Sequence, residues 1–123
     1  MDKHILLVED ELDIQEAMAE ALSAAGFTVT TASNGAIGLK LALEKKPDLI
    51  LLDIVMPEMG GHEMLKRLRD DAWGKSAKVI MLTSMDGAQN VSDAYEESVD
   101  DYIIKVHNSL DEIIKKVRTV ILQ

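Results

Sequence analysis

Three short apolar runs, His4-Ile5-Leu6-Leu7-Val8, Leu49-Ile50-Leu51-Leu52 and Val79-Ile80-Met81-Leu82, set the strongest limit on how this chain can fold. Each has strand length, and the near absence of polar alternation means that both faces of each strand must be covered. Such strands belong to the interior of a parallel sheet with helices above and below it. Phe27 to Ala32 differs: Phe27, Val29 and Thr31 alternate in a β-branched stretch, and Tyr102-Ile103-Ile104 is a short fifth candidate. Both suit sheet edges.

Helical patterns fill the intervals. In Leu12 to Ala25 the residues Ile14, Ala17, Met18, Ala21, Leu22 and Ala25 recur at three- and four-residue spacing, and Gly26 follows where a left-handed C′ residue would sit. A second helix, about Ala36 to Lys45, presents Ile37, Leu41 and Ala42 with Leu39 and Leu43, and stops before Pro47. A third runs from about Gly61 to Asp70 with Leu65 and Leu68 facing in, and a fourth covers about Ala88 to Glu97. The fifth starts at the capping box Ser109-Leu110-Asp111-Glu112 and carries Leu110, Ile113, Ile114, Val117 and Ile121 on one face. Five β-α units call for a doubly wound α/β/α sandwich with right-handed crossovers. With 123 residues and no internal repeat or linker, residues 1–123 are expected to form one domain.

Composition removes several classes of function. The formal net charge of −9 argues against nucleic-acid binding by this chain and disfavours anionic membranes. The absence of cysteine excludes disulfides, thiolate metal sites and a cysteine nucleophile. The N-terminal apolar run is too short for a signal peptide or membrane span, so a cytoplasmic location is expected. No glycine-rich phosphate loop is present.

In open α/β sheets, ligands bind beyond the carboxyl ends of the strands. Glu9 and Asp10 follow the first apolar run, Asp53 the third, Thr83 and Ser84 the fourth, and Lys105 the fifth. With strand order 2-1-3-4-5, these four strand ends would be contiguous and their polar residues would converge on one cleft. Three carboxylates brought together repel one another and invite a shared proton or a cation. Oxygen ligation of low charge count suits Mg²⁺, which leaves room for phosphate oxygens. Asp53 could then act as a carboxylate nucleophile toward a phosphoryl group, with Thr83 and Lys105 balancing its charge. Plainer readings stand beside this one: Asp10 as a helix cap, Asp53 as a turn residue, Thr83 as a strand-end hydroxyl, Lys105 as solvated surface.

The segments Leu7-Val8-Glu9-Asp10-Glu11, Pro47 to Asp53, Met56-Pro57 with Gly61 downstream, Leu82-Thr83-Ser84 and Asp100 to Lys105 together resemble the receiver domain of two-component response regulators. That resemblance implies the flavodoxin-like fold with order 2-1-3-4-5. It implies that Asp53 is the phosphoacceptor, taking its phosphoryl group from a histidine kinase or phosphotransfer protein, and that the domain is not a turnover enzyme. It assigns Mg²⁺ to Asp10, Asp53 and the Val55 carbonyl, with Glu9 acting through water. Thr83 would contact the phosphoryl group, Ser84 would offer its backbone N–H, and Lys105 would pair with phosphate. Thr83 and Tyr102 would form the switch that alters the surface of the fourth helix, fifth strand and fifth helix, a surface also suited to a homodimer.

Two departures stand out. Val106 follows Lys105 where the family has proline, so this bond is expected to be trans, because a cis bond before a non-proline residue costs about 2.5–4 kcal/mol. Ser98-Val99 replaces the family's Gly-Ala. Val55 and Met85, which flank the family's path for hydrolytic water, are both apolar here and imply slow loss of phosphate. His4, His62 and His107 lie on different elements and do not suggest a shared metal site. The methionines are expected to fill gaps in the core. Trp73 is expected in the loop before the fourth strand, away from the cleft, and Lys115, Lys116 and Arg118 on a solvated helix face. Two other functions fit the same fold: an unphosphorylated pseudo-receiver acting as an interaction module, and a phosphatase with a nucleophilic aspartate. Such phosphatases place a second Asp two residues on, where Val55 stands.

Overall fold

The computed structural model describes residues 3–83, 99–104 and 109–123. Its elements in chain order are β1 (His4–Val8), α1 (Leu12–Ala24), β2 (Thr28–Ala32), α2 (Gly35–Lys45), β3 (Leu49–Asp53), α3 (Gly61–Arg69), a 3-10 turn (Gly74–Ser76), β4 (Val79–Thr83), β5 (Asp101–Ile104) and a C-terminal helix (Leu110–Ile121). The strands form one parallel sheet in the order β2-β1-β3-β4-β5. The expected fourth helix, the Lys105-Val106 bond, Ser84, Met85 and His107 lie outside the described residues.

The strand period of two divides the core cleanly. Leu6, Val8, Ile50, Leu52, Val79 and Met81 point to one face, where Ala42 of α2 and Met64, Leu65 and Leu68 of α3 cover them. Ile5, Leu7, Leu49, Leu51, Ile80, Leu82 and Ile103 point to the other, under Met18 and Leu22 of α1 and Ile113, Val117, Val120 and Ile121 of the C-terminal helix. Every residue of β3 and β4 is buried, as unbroken apolar runs require.

Helix faces are less well read from spacing alone. On α2 the inward stripe is Gly35, Gly38 and Ala42, and Ile37 is exposed. The helix lies so close to β1 that a Cβ at Gly38 would come within 2.8 Å of Val8 Cγ2, so its smallest residues must face the sheet. Leu110, Ala17 and Thr31 are likewise exposed rather than inward. In the C-terminal helix Val120 completes the buried stripe, while Leu110 occupies the first turn beyond the sheet. Phe27 precedes β2 and packs against the α1 side of the core.

The helix ends follow the expected chemistry. Gly26, just after α1, has φ +102°, a value that favours glycine. Ser109 accepts from the Glu112 N–H at 3.2 Å and Glu112 Oε1 accepts from the Ser109 N–H at 2.9 Å, closing the capping box. That backbone bond, and then the Ser109 side chain, holds the Glu112 carboxyl below its ordinary value. Its contribution is therefore complete above the usual glutamate pKa of about 4.3 and is lost as pH falls through the lower folded value. In thermal melts, Glu112→Gln should lower Tm near neutral pH, and the difference from the native chain should close in strong acid.

The other end of the C-terminal helix is held by Lys78, whose Nζ donates to the carbonyls of Val120, Ile121 and Gln123 at 2.9–3.1 Å. A cation there satisfies terminal carbonyls and opposes the negative end of the helix dipole. The basic cluster of this helix is partly engaged: Lys116 lies 3.7 Å from Asp101, and Arg118 donates to the Ala25 carbonyl at 3.2 Å. Trp73 precedes the 3-10 turn and packs against the α2–α3 side of the core.

Candidate functional site

Register brings the acidic residues together. Val8 pairs with Leu52, so Glu9 stands level with Asp53, and Asp53 pairs with Leu82, so Thr83 lies one residue beyond it. Thr83 pairs in turn with Ile104, which Lys105 follows outside the described residues. Glu9, Asp10 and Asp53 each present a carboxylate oxygen, and these oxygens lie within 4.8 Å of one another. Among the described residues this is the one group of three or more acidic or histidine side chains arranged to share a metal ion; His4 and His62 take no part in it.

The plainer readings can be weighed on geometry. Asp10 does not cap α1, because the N-cap position belongs to Glu11, whose own side chain makes no capping bond. Asp53 ends β3 at 4% exposure and is no surface turn residue. Thr83, the last residue of β4, is also buried. Glu9 is fully buried, and its Oε2 accepts the Glu11 N–H at 3.1 Å. Buried acidic groups persist only when hydrogen-bonded, paired or bound to a cation.

Two oxygens on one Mg²⁺ at about 2.0–2.1 Å lie no more than about 4.2 Å apart. Oxygens within 4.8 Å of one another are a small adjustment, or one bridging water, from sharing such an ion. An all-carboxylate donor set suits a hard dication rather than a softer metal. The residues present therefore fit Mg²⁺.

The loop after β3 carries Val55, whose side chain is 66% exposed. The loop is strapped to the start of α2: Gly35 N–H donates to the Met59 carbonyl at 3.0 Å, and Asn34 Nδ2 approaches Glu58 Oε2 at 3.4 Å. It closes on itself through Gly61 N–H to the Ile54 carbonyl at 2.8 Å. Tyr102 is partly buried against the α2–α3 side of the core, beside the β4 strand that ends in Thr83. Asp100 works at the opposite end of the sheet: its Oδ2 accepts Val79 N–H at 2.8 Å and its N–H donates to the Val79 carbonyl. Nearby Arg69 donates to the Gly74 and Ala77 carbonyls; burial lowers its pKa, and Asp100 opposes that shift.

Residues 5–118 match the sequence model of the response regulator receiver domain. This chain belongs to the response regulator receiver domain family. It is 34% identical over 117 residues to the probable transcriptional regulatory protein SilR of Salmonella typhimurium, covering 95% of this chain and 50% of that protein. The receiver thus spans about half the length of the curated relatives it matches. A putative response regulator from Chloroflexus aurantiacus shares the fold with a TM-score of 0.94 at 24% identity, each chain covered completely. The chemotaxis protein CheY4 of Vibrio cholerae superposes with a TM-score of 0.90 at 25% identity, covering 98% of this chain and 99% of that one. Among the described residues, no helix of the receiver is long and apolar enough to cross a membrane.

Sequence reasoning missed one buried polar residue beside the acidic group, whose amide donates to the Glu9 carbonyl. Gln15 is buried in α1, in line with Met18 and Leu22. A glutamine on the inward stripe of an apolar helix was the available signal, because a buried amide needs partners.

Proposed function

We propose that this receiver accepts a phosphoryl group on Asp53 from the phosphohistidine of a histidine kinase or phosphotransfer protein, with Mg²⁺ held by Asp10, Asp53 and the Val55 carbonyl and by Glu9 through water. The observation that carries this reading is the convergence of the Glu9, Asp10 and Asp53 carboxylates at the carboxyl ends of β1 and β3. An Asp53 oxygen forms the new O–P bond as the P–N bond of the donor breaks, and the electron pair leaves with the donor's imidazole. When bound, Mg²⁺ neutralises charge on the phosphoryl oxygens. Thr83, at the end of the neighbouring strand, offers its hydroxyl to the phosphoryl group, and Lys105 pairs with it.

Thr83 and Tyr102 then serve as the switch, since β4 and β5 are adjacent and Tyr102 pairs with Met81. The surface altered by phosphorylation comprises the expected fourth helix, β5 and the C-terminal helix, and it can also support a homodimer. Leu12, Val55 and Leu110 are exposed large apolar residues on segments that leave this same edge of the sheet, which supports docking of a protein donor there. We place the receiver in the cytoplasm, where its donors act, with the output carried by other parts of the regulator or by its partners.

The test is incubation with Mg²⁺ and acetyl phosphate followed by intact-mass measurement beside Asp53→Asn. The native chain should gain one acid- and base-labile phosphoryl group that the variant lacks. No gain would identify an interaction-only receiver, and donor turnover without an adduct would identify a phosphatase. Val55→Asn should shorten the phosphoryl half-life by making the exposed flank polar; an unchanged or longer half-life would contradict the water-path role of Val55.

A further inference from the structure

Gln15 bonds two backbone carbonyls at the paired ends of β1 and β2. Its Nε2 donates to the Glu9 carbonyl at 2.9 Å and to the Ala32 carbonyl at 3.2 Å. Ala32 ends β2, and its carbonyl also accepts the Glu9 N–H at 3.0 Å. The amide therefore extends the β1–β2 ladder one rung past the strand ends. The Glu9 carbonyl belongs to the peptide unit that joins Glu9 to Asp10. Whatever orients that unit sets where the two carboxylates stand relative to each other. The Glu9 side chain is pinned separately by the Glu11 N–H, and the Gln15 bond to the Glu9 carbonyl restrains rotation of the Glu9–Asp10 peptide.

We infer that Gln15 is a positioning residue for the acidic pair and sets the affinity of the cleft for Mg²⁺. It touches no reacting atom. The inference rests on the metal assignment proposed above. Its physical basis is preorganisation: ligands held in place before binding lose less freedom on binding, and loss of such support typically weakens metal binding about 10–100-fold. An apolar residue of similar length would preserve the packing against the core but could not donate to either carbonyl.

Calorimetric titration of Mg²⁺ into the unphosphorylated receiver tests this, using the native chain, Gln15→Met, Gln15→Asn, Met18→Ala and Asp10→Asn. Gln15→Met keeps the volume and removes the donor; Gln15→Asn keeps the donor but shortens its reach. Both should weaken Mg²⁺ binding about tenfold. They should also raise the Mg²⁺ concentration needed for half-maximal acetyl phosphate labelling, with the rate at saturating Mg²⁺ within about twofold of native. Met18→Ala disturbs the same helix without touching the Glu9–Asp10 peptide and should leave Mg²⁺ affinity near native. Native affinity in whichever Gln15 variant folds, or an equal loss in Met18→Ala, would overturn the inference. No Mg²⁺ uptake by the native chain, or full uptake by Asp10→Asn, would instead overturn the metal assignment beneath it.

Discussion

Asp10→Asn is expected to make the receiver more stable than the native chain in EDTA and less stable than it in saturating Mg²⁺. Three carboxylate oxygens lie within 4.8 Å of one another. At an effective dielectric of about 20, unit charges that close repel by roughly 3 kcal/mol per pair before solvent relaxation. Asp10 is only partly buried, so water screens much of this, and neutralising it should recover about 1–2 kcal/mol. A cation bound to the folded state reverses the order. At a hundred times its dissociation constant it stabilises the native fold by about 2.7 kcal/mol, a gain the variant largely forgoes. Urea titrations of both proteins with EDTA and with Mg²⁺ should therefore cross. Equal shifts on adding Mg²⁺ would mean that Asp10 does not hold the ion, and equal stability of the two proteins in EDTA would mean that it does not suffer the repulsion.

Gly61→Ala is expected to lose about 3 kcal/mol or more of stability and to impair labelling of Asp53 even where it remains folded. A Cβ at Gly61 would overlap the Asp53 carbonyl oxygen and meet Ile54 Cα at 3.0 Å. Both obstacles are backbone, so no rotamer change can relieve them. Relief requires moving the end of β3 or the start of α3, and the first of these displaces Asp53, the proposed phosphoacceptor. Gly26→Ala makes the contrast: nothing lies within 4 Å of its Cβ, and only φ +102° opposes the substitution. It should cost about 1 kcal/mol and leave labelling unchanged. Equilibrium unfolding together with the labelling rate separates the two; equal stability losses would refute the steric account of Gly61.

Much of this was legible along the chain because strand burial and strand period are local properties. Unbroken runs such as Leu49 to Leu52 need cover on both faces, whatever that cover is. The polar residues that end them must emerge at the carboxyl edge. The capping box at Ser109 and the left-handed Gly26 were legible for the same reason, since a cap is satisfied within a few residues. Faces chosen by proximity were not. Ile37 has the spacing of an inward residue, but the approach of α2 to Val8 gives that place to Gly38. Gln15 sits on the inward stripe of α1, and its purpose depends on the Ala32 carbonyl, 17 residues away in sequence.

The sequence by itself determined that five strands form a parallel sheet, and it named the acidic and hydroxyl residues at the ends of β1, β3 and β4, because hydrophobic period and polar punctuation are carried by neighbouring residues. Only the tertiary structure decided that Glu9, Asp10 and Asp53 come within ligand reach of one another, that Asp10 is free of helix capping, and that Gly61 must lack a side chain. Those outcomes depend on register and on the distance between backbones, which arise only when separate elements pack.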